Sequence, residues 1–591
     1  MRQFSSTGSM KPPTSIQPAK STLGEASAGF PQLLSPRGLF LAALGAAAVV
    51  FAVYLPSLNF QFILDDHRFT ADPRIQSSGY LWDYFANYVW AQFTGGLPSF
   101  YRPLFVVWMR INFIVCALSP WGWHLLSIAK HLAVAGLLGL LVWKLLRDRA
   151  AALLASTLFA LHPAQTESVA WVTVPDPLMS IGVLASLLLF LDYIGHSQKS
   201  AAAPERGSRK KAPKKNSPSP IFLIASACAG LMALLAKETA IITPVIIFAV
   251  AWADRGHAAT SGKARHQGEE SDLDFRHRFS RAIRQTSPFL LVTGIYLLLR
   301  LNALGRLSSR TQDLPLATVL LSWPATLWFY VKVLLWPTRS RAFADPSLVE
   351  KFSYDSVLLP MLGVLFVSAA LAGMLFWMRS KARLSGHDSR RVGIENALII
   401  GTLLLVLPIL LALDLPALNP GDFLHGRYTY LSLAGLMLLG ATAWHMSGRL
   451  RVPLLVTAGV LAVAFSALTF SQQKLWSDDL TVFTRAHELA PHNAPVARNL
   501  ADAHVQQALR LADQGQCDEA VPVFQEVNRE YPEDWYAWAG LGDCLVQLDK
   551  YPQAEESFHK AADLSHDRHV IEQWQLLREH MGLPASGPNT K

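Results

Sequence analysis

Charge is scarce in this chain. Of its 591 residues only 16% are Asp, Glu, Lys or Arg, while 51% are hydrophobic. That balance excludes a fold bathed in water on all sides and places most of the chain in lipid. Cysteine is scarcer still. Cys116, Cys228, Cys517 and Cys544 follow neither metal-ligand nor disulfide-framework spacing, so they read as small packed thiols and leave the redox compartment open. The first 37 residues, rich in Ser, Pro and Gly, lack a compact cleavable signal and read as a disordered cytoplasmic tail before an uncleaved anchor that starts at Gly38.

The charge that is present is clustered. Basic residues collect at Lys144 to Arg149, Lys199 to Lys215, Arg255 to Arg284, Arg379 to Arg391, and Arg449 with Arg451. Between apolar segments such runs mark cytoplasmic loops rather than nucleic-acid contacts. A topology that satisfies them has about eleven spans, near 38–56, 122–146, 150–162, 177–195, 221–236, 238–253, 286–302, 355–378, 394–416, 428–447 and 452–470. Pro103 to Leu118 and Leu316 to Pro337, interrupted by Arg110, Asn112, Pro324 and Lys332, are expected to lie in the interface. The amino terminus is then inside and the carboxyl terminus outside.

This topology brings four clusters to the non-cytoplasmic face: Asp65-Asp66 with Tyr101-Arg102-Pro103, His162 to Glu167, Lys237-Glu238, and His425 to Tyr430. Carboxylates, cations and tyrosines at one membrane edge suit a reaction in which a base deprotonates an acceptor and cations neutralise a phosphate leaving group. Each cluster also has a plainer reading. Asp65-Asp66 fits a helix cap, His162-Pro163 a helix end, Lys237-Glu238 a self-paired hairpin tip, and Arg427 with Tyr428 a headgroup anchor.

After Ser471 the pattern turns polar and alanine-spaced. Ala520 and Ala554, like Phe524 and Phe558, lie 34 residues apart, the tetratricopeptide period. Two to three repeats are visible, closed by an amphipathic helix near Val570 to Met581, and such arrays present a concave face to extended peptides or pack on their own neighbour. The domains are therefore a tail at 1–37, a membrane domain at 38–470, repeats at 471–581 and a second tail at 582–591.

The series Leu64-Asp65-Asp66, Tyr101-Arg102-Pro103-Leu104, His162-Pro163 through Thr166-Glu167-Ser168-Val169-Ala170-Trp171, Lys237-Glu238, Trp336-Pro337 and Arg427-Tyr428-Thr429-Tyr430-Leu431 resembles the transmembrane-and-tetratricopeptide O-mannosyltransferases. The resemblance implies an all-α, C-type integral-membrane glycosyltransferase that inverts a sugar taken from a polyprenyl-phosphate donor. By motif position it implies Asp65 as the base, ahead of Asp66, with Glu167 as a second acid. Arg102, His162, Lys237, Arg427 and Tyr428 become the residues for the donor phosphate. Family members often carry a histidine where this chain has Gln165, and an Arg-x-Asp element where it has Val174-Pro175-Asp176-Pro177. The short array points to a bacterial inner-membrane member with periplasmic repeats.

The function expected is transfer of a sugar, such as mannose, from a polyprenyl-phosphate carrier to protein Ser or Thr hydroxyls, with the repeats presenting the acceptor. No metal or other cofactor is required, although a paired carboxylate is also able to hold Mg²⁺ or Mn²⁺. The alternative is a catalytically silent scaffold whose external repeats recruit envelope proteins. A flippase or ion-coupled transporter would need charges deep within spans, whereas most here fall at span ends.

Overall fold

The computed structural model describes residues 35–93, 100–202, 220–254, 270–307, 312–337, 348–384, 388–417 and 424–584. Nearly all of the expected tails, and the basic runs at 203–219 and 255–269, lie outside the described residues. What is described is helical. A helix answers each of the eleven expected spans, from Pro36–Tyr54 to Arg451–Gln472, and the segment expected at 286–302 is the end of a longer helix, Glu270–Leu304.

The two segments expected in the interface differ from each other. Pro103–Cys116 is a helix of 14 residues, short for a crossing. Leu316–Leu335 runs unbroken through Pro324 for 20 residues and is long and apolar enough to cross. Around the proline, the hydroxyls of Ser322 and Thr326 donate to the carbonyls of Thr318 and Ser322. A length that suits crossing removes the parity argument for sidedness, so the position of the repeats must be read from their contacts.

Helices in the apolar part meet through small residues, because lipid offers no hydrophobic drive and close backbone approach supplies dispersion and polar contacts instead. Ser186 and Ser226 each donate to the other's carbonyl across Asp176–Ala202 and Pro220–Ala236. Asp388–Leu411 and Tyr430–Met446 touch at Gly401 and Gly435, where a Cβ on Gly435 would fall 2.4 Å from the Leu405 nitrogen. Backbone cannot yield as a side chain end can. Gly435→Ala is expected to destabilise the helix pair by about 1–3 kcal/mol, measured as a lowered unfolding midpoint in detergent.

The repeats follow as Asp479–Leu489, Ala494–Asp513, Cys517–Glu530, Trp535–Gln547, Tyr551–Ser565 and Arg568–His580. The last four share a core with the end of Ala494–Asp513, built on Phe524, Phe558 and Trp574, which also buries the free thiols of Cys517 and Cys544. The first helices instead join the membrane domain. Trp476 is fully buried and stacks on Trp171 with ring centroids 6.1 Å apart, in a cluster that includes Phe60, Ile63, Val174 and Phe483. The array therefore starts on the same face as Asp65.

Candidate active-site cleft

A cleft of about 1400 Å³ opens between these parts. Its wall takes Asp65, His67 and Arg68 from the short helix Asp65–Ala71, and Arg102 from the start of Pro103–Cys116. Trp171 and Asp176, Lys237 and Glu238, and His425, Arg427 and Tyr428 complete the inner part. Outward it continues over Asp479, Asn499, Asp502, Gln506 and Arg510 of the first repeat helices.

The two aspartates have different surroundings. Asp65 is half-buried and lines the cleft. Asp66 is fully buried behind the wall, where it accepts from Ile63 N at 3.1 Å, Thr173 N at 3.2 Å and Thr173 Oγ1 at 2.7 Å. Burial pushes its carboxyl up to about 7, with the Thr173 and Ile63 bonds restraining the rise. Asp66 thus ties the segment before the helix to the turn after Trp171. The residue between, Leu64, adopts φ 53° and ψ −125°, a backbone region that costs of order 1–3 kcal/mol for a non-glycine residue. It is held there by its own N–H, which donates to Asp479 Oδ1 of the repeats at 2.9 Å.

Lys237 and Glu238 are not paired with each other, as a hairpin tip would have them. A 3-10 turn begins at Glu238 and parts the two side chains. Lys237 Nζ donates to both carboxylate oxygens of Asp176 at 2.7 Å, and both side chains are buried. Glu238 takes a two-pronged bond from Arg102, with Nε to Oε2 at 2.9 Å. Asp176, seen in the sequence only as a departure from a pattern, is therefore the counter-ion of the lysine. Arg427 lies over Trp171 at 4.3 Å, and Tyr428 presents its ring to Lys237 at 5.1 Å.

Besides Asp66, two expected site residues lie behind the cleft. His162 ends Arg149–Leu161, caps the turn after it through Ala164 N, and faces the Leu334 carbonyl at 3.2 Å. The proline that follows it excludes helical geometry, so the helix-end reading describes it, and the buried ring is not part of the cleft wall. Glu167 is likewise buried and absent from the cleft wall. It pairs with His425 Nδ1 at 2.8 Å and accepts from Arg427 N at 3.1 Å. Burial alone would raise its carboxyl, yet His425 and Arg427 hold it below the ordinary range. It positions the His425–Tyr428 turn and does not meet the cleft itself.

His67 Nε2 lies 2.6 Å from Asp479 Oδ2. This bond raises the imidazole's affinity for its proton, against the opposing effect of burial. The contact is therefore complete below the ordinary histidine value of about 6.5 and is lost as pH rises through the higher docked-state value. Protection factors across Asp479–Leu489, which divide out the base-catalysed intrinsic rate of amide exchange, are expected to be lower at pH 9 than at pH 6, and in His67→Gln this difference is expected to vanish.

Among the described residues no cluster of three His, Cys, Asp or Glu is placed to hold a metal ion. The tetratricopeptide repeat family matches residues 505–567. Over 306 residues the chain is 31% identical to Drosophila melanogaster protein O-mannosyl-transferase Tmtc1, covering 50% of this chain and 33% of that protein. Human TMTC1 and TMTC3 match at 24% and 26% identity over 86% and 87% of this chain, and 57% and 54% of theirs. The chain is similar in sequence to these protein O-mannosyl-transferases. It spans about half the length of the two human relatives and a third of the fly protein. Among solved structures, an Archaeoglobus fulgidus oligosaccharyltransferase tethered to an acceptor peptide matches at 13% identity and a TM-score of 0.36, covering 82% of this chain and 58% of that one. The same organism's AglB, in complex with an inhibitory peptide and a dolichol-phosphate, gives 13%, 0.34, 81% and 59%.

Proposed function

We propose that this protein is a membrane glycosyltransferase that moves a sugar, mannose in the first instance, from a polyprenyl-phosphate donor to a protein hydroxyl on the non-cytoplasmic face, with bacterial periplasmic repeats presenting the acceptor. The observation that carries this reading is one cleft in which an accessible carboxylate, Asp65, shares a wall with Arg102, Lys237 and Arg427 and runs on to the first repeat helices. Asp65 takes the proton of the acceptor hydroxyl while its oxygen attacks the anomeric carbon. The bond from that carbon to the phosphate oxygen breaks, its electron pair leaves with the phosphate, and configuration inverts. Arg427, which stacks on Trp171 and lies 3.7 Å from Glu167, lines the inner wall beside Lys237 and Arg102 and meets the developing charge. No step is routed through a metal.

The test is transfer of radiolabel from a panel of polyprenyl-phosphate sugars to Ser/Thr peptides by the purified full chain in nanodiscs. Transfer from one donor with inversion supports the reading. Absence of transfer across the panel, by folded protein whose repeats still capture envelope proteins, overturns it in favour of a scaffold.

A further inference from the structure

The cleft wall contains a charge that the proposed mechanism leaves unused. Arg300 lies on Glu270–Leu304 and is only 7% exposed. Its Nε donates to the Leu307 carbonyl at 3.0 Å and its Nη1 to the Tyr296 hydroxyl at 3.4 Å. Both partners are neutral, and among the described residues no carboxylate lies within ion-pairing distance. Arg74, Arg102 and Lys237 each have an acid of their own, while buried Lys130 lies over the Trp108 ring.

A buried guanidinium without a counter-charge is expensive unless an anion from outside the chain supplies one, and its planar fork suits phosphate oxygens. The same part of the wall carries Leu297, Leu307, Pro408 and Leu411, with Leu307 and Leu411 about half exposed, and Asp414 lines it past Leu411. A cation at the inner end of an apolar wall fits an amphiphile with an anionic head. Tyr296 also connects this place with the inner cleft, since its ring lies 6.0 Å from that of Tyr101, the neighbour of Arg102.

We propose that Arg300 is the anchor for the phosphate of a polyprenyl-phosphate whose chain runs over Leu307 and Leu411. This rests on reading the cleft as a lipid-phosphate sugar transferase, and assigns the lipid's entry to the groove between Glu270–Leu304 and Asp388–Leu411. Arg427 then meets the charge that develops at the reacting oxygen, while Arg300 holds the donor before and after transfer.

Binding of fluorescent polyprenyl phosphate, uncharged polyprenol and inorganic phosphate would be measured on the full chain in nanodiscs. Arg300→Gln is expected to weaken polyprenyl phosphate by about tenfold to a hundredfold, the range for bonds to a charged group. Arg300→Lys should recover part of the loss, and polyprenol binding should not move. Leu411→Asp, on the exposed side of the groove, should weaken the lipid phosphate without affecting inorganic phosphate. Unchanged lipid-phosphate affinity in Arg300→Gln, or in Leu411→Asp should the first variant not fold, overturns the proposal. Inorganic phosphate binding as tightly as the lipid form at Arg300 also overturns it, because the site would then serve free phosphate. Arg300-dependent lipid binding in a protein that transfers no sugar leaves this site standing and removes only the enzymatic reading.

Discussion

Asp65→Asn should lower sugar transfer by about 10² to 10⁴-fold, the usual contribution of a positioned general base. Donor binding should be unchanged, because the carboxamide keeps the shape of the side chain and loses only its basicity. The loss should therefore fall on kcat, with KM for the lipid donor held. Asp66→Asn should differ in kind. That carboxylate accepts three hydrogen bonds behind the wall, and an amide cannot accept all three with the same geometry. The unfolding midpoint should drop and activity should fall with it. Single-turnover rates and thermal unfolding for both variants decide the matter. Full activity in Asp65→Asn, with chemistry abolished in a well-folded Asp66→Asn, would exchange their roles.

Lys237→Met should cost about 3–5 kcal/mol of stability, because it leaves Asp176 buried and unpaired. Lys237→Met with Asp176→Leu should recover most of that stability, since two apolar groups need no counter-charge, and should remain inactive if the lysine's charge serves the cleft. Midpoints of chemical unfolding in detergent measure the first effect and transfer assays the second. A single variant as stable as the parent would mean that water from the cleft already solvates Asp176.

The contrast between these pairs shows where the sequence was informative. Spans such as Pro120–Leu146 and Arg390–Leu411 are legible because apolar length is a local property. The repeats are legible because Phe524 and Phe558 return at a fixed period. Pairing is not local. Lys237 and Glu238 are adjacent in the chain, yet their partners lie 61 and 136 residues away, and nothing in composition chooses Asp176 over Glu238. Motif position offers His162 for the donor phosphate, and the proline after it is the local signal that accounts for its place at a helix end. Arg300 left a signal that went unused: an arginine inside the apolar run Ile295 to Leu304 asks for a partner or a purpose.

The bond from Leu64 to Asp479 has an engineering consequence. The strained turn that aims Asp65 is held by a residue of the first repeat helix, and Trp476 seals the junction beneath it. The seam along which this array can be exchanged for another therefore runs inside it, after Asp513, rather than at the end of the last apolar helix. A chimaera joined at residue 471 would inherit a foreign acceptor-binding surface together with a misaimed base, whereas one joined after Asp513 would keep its own chemistry and change only what is delivered to it.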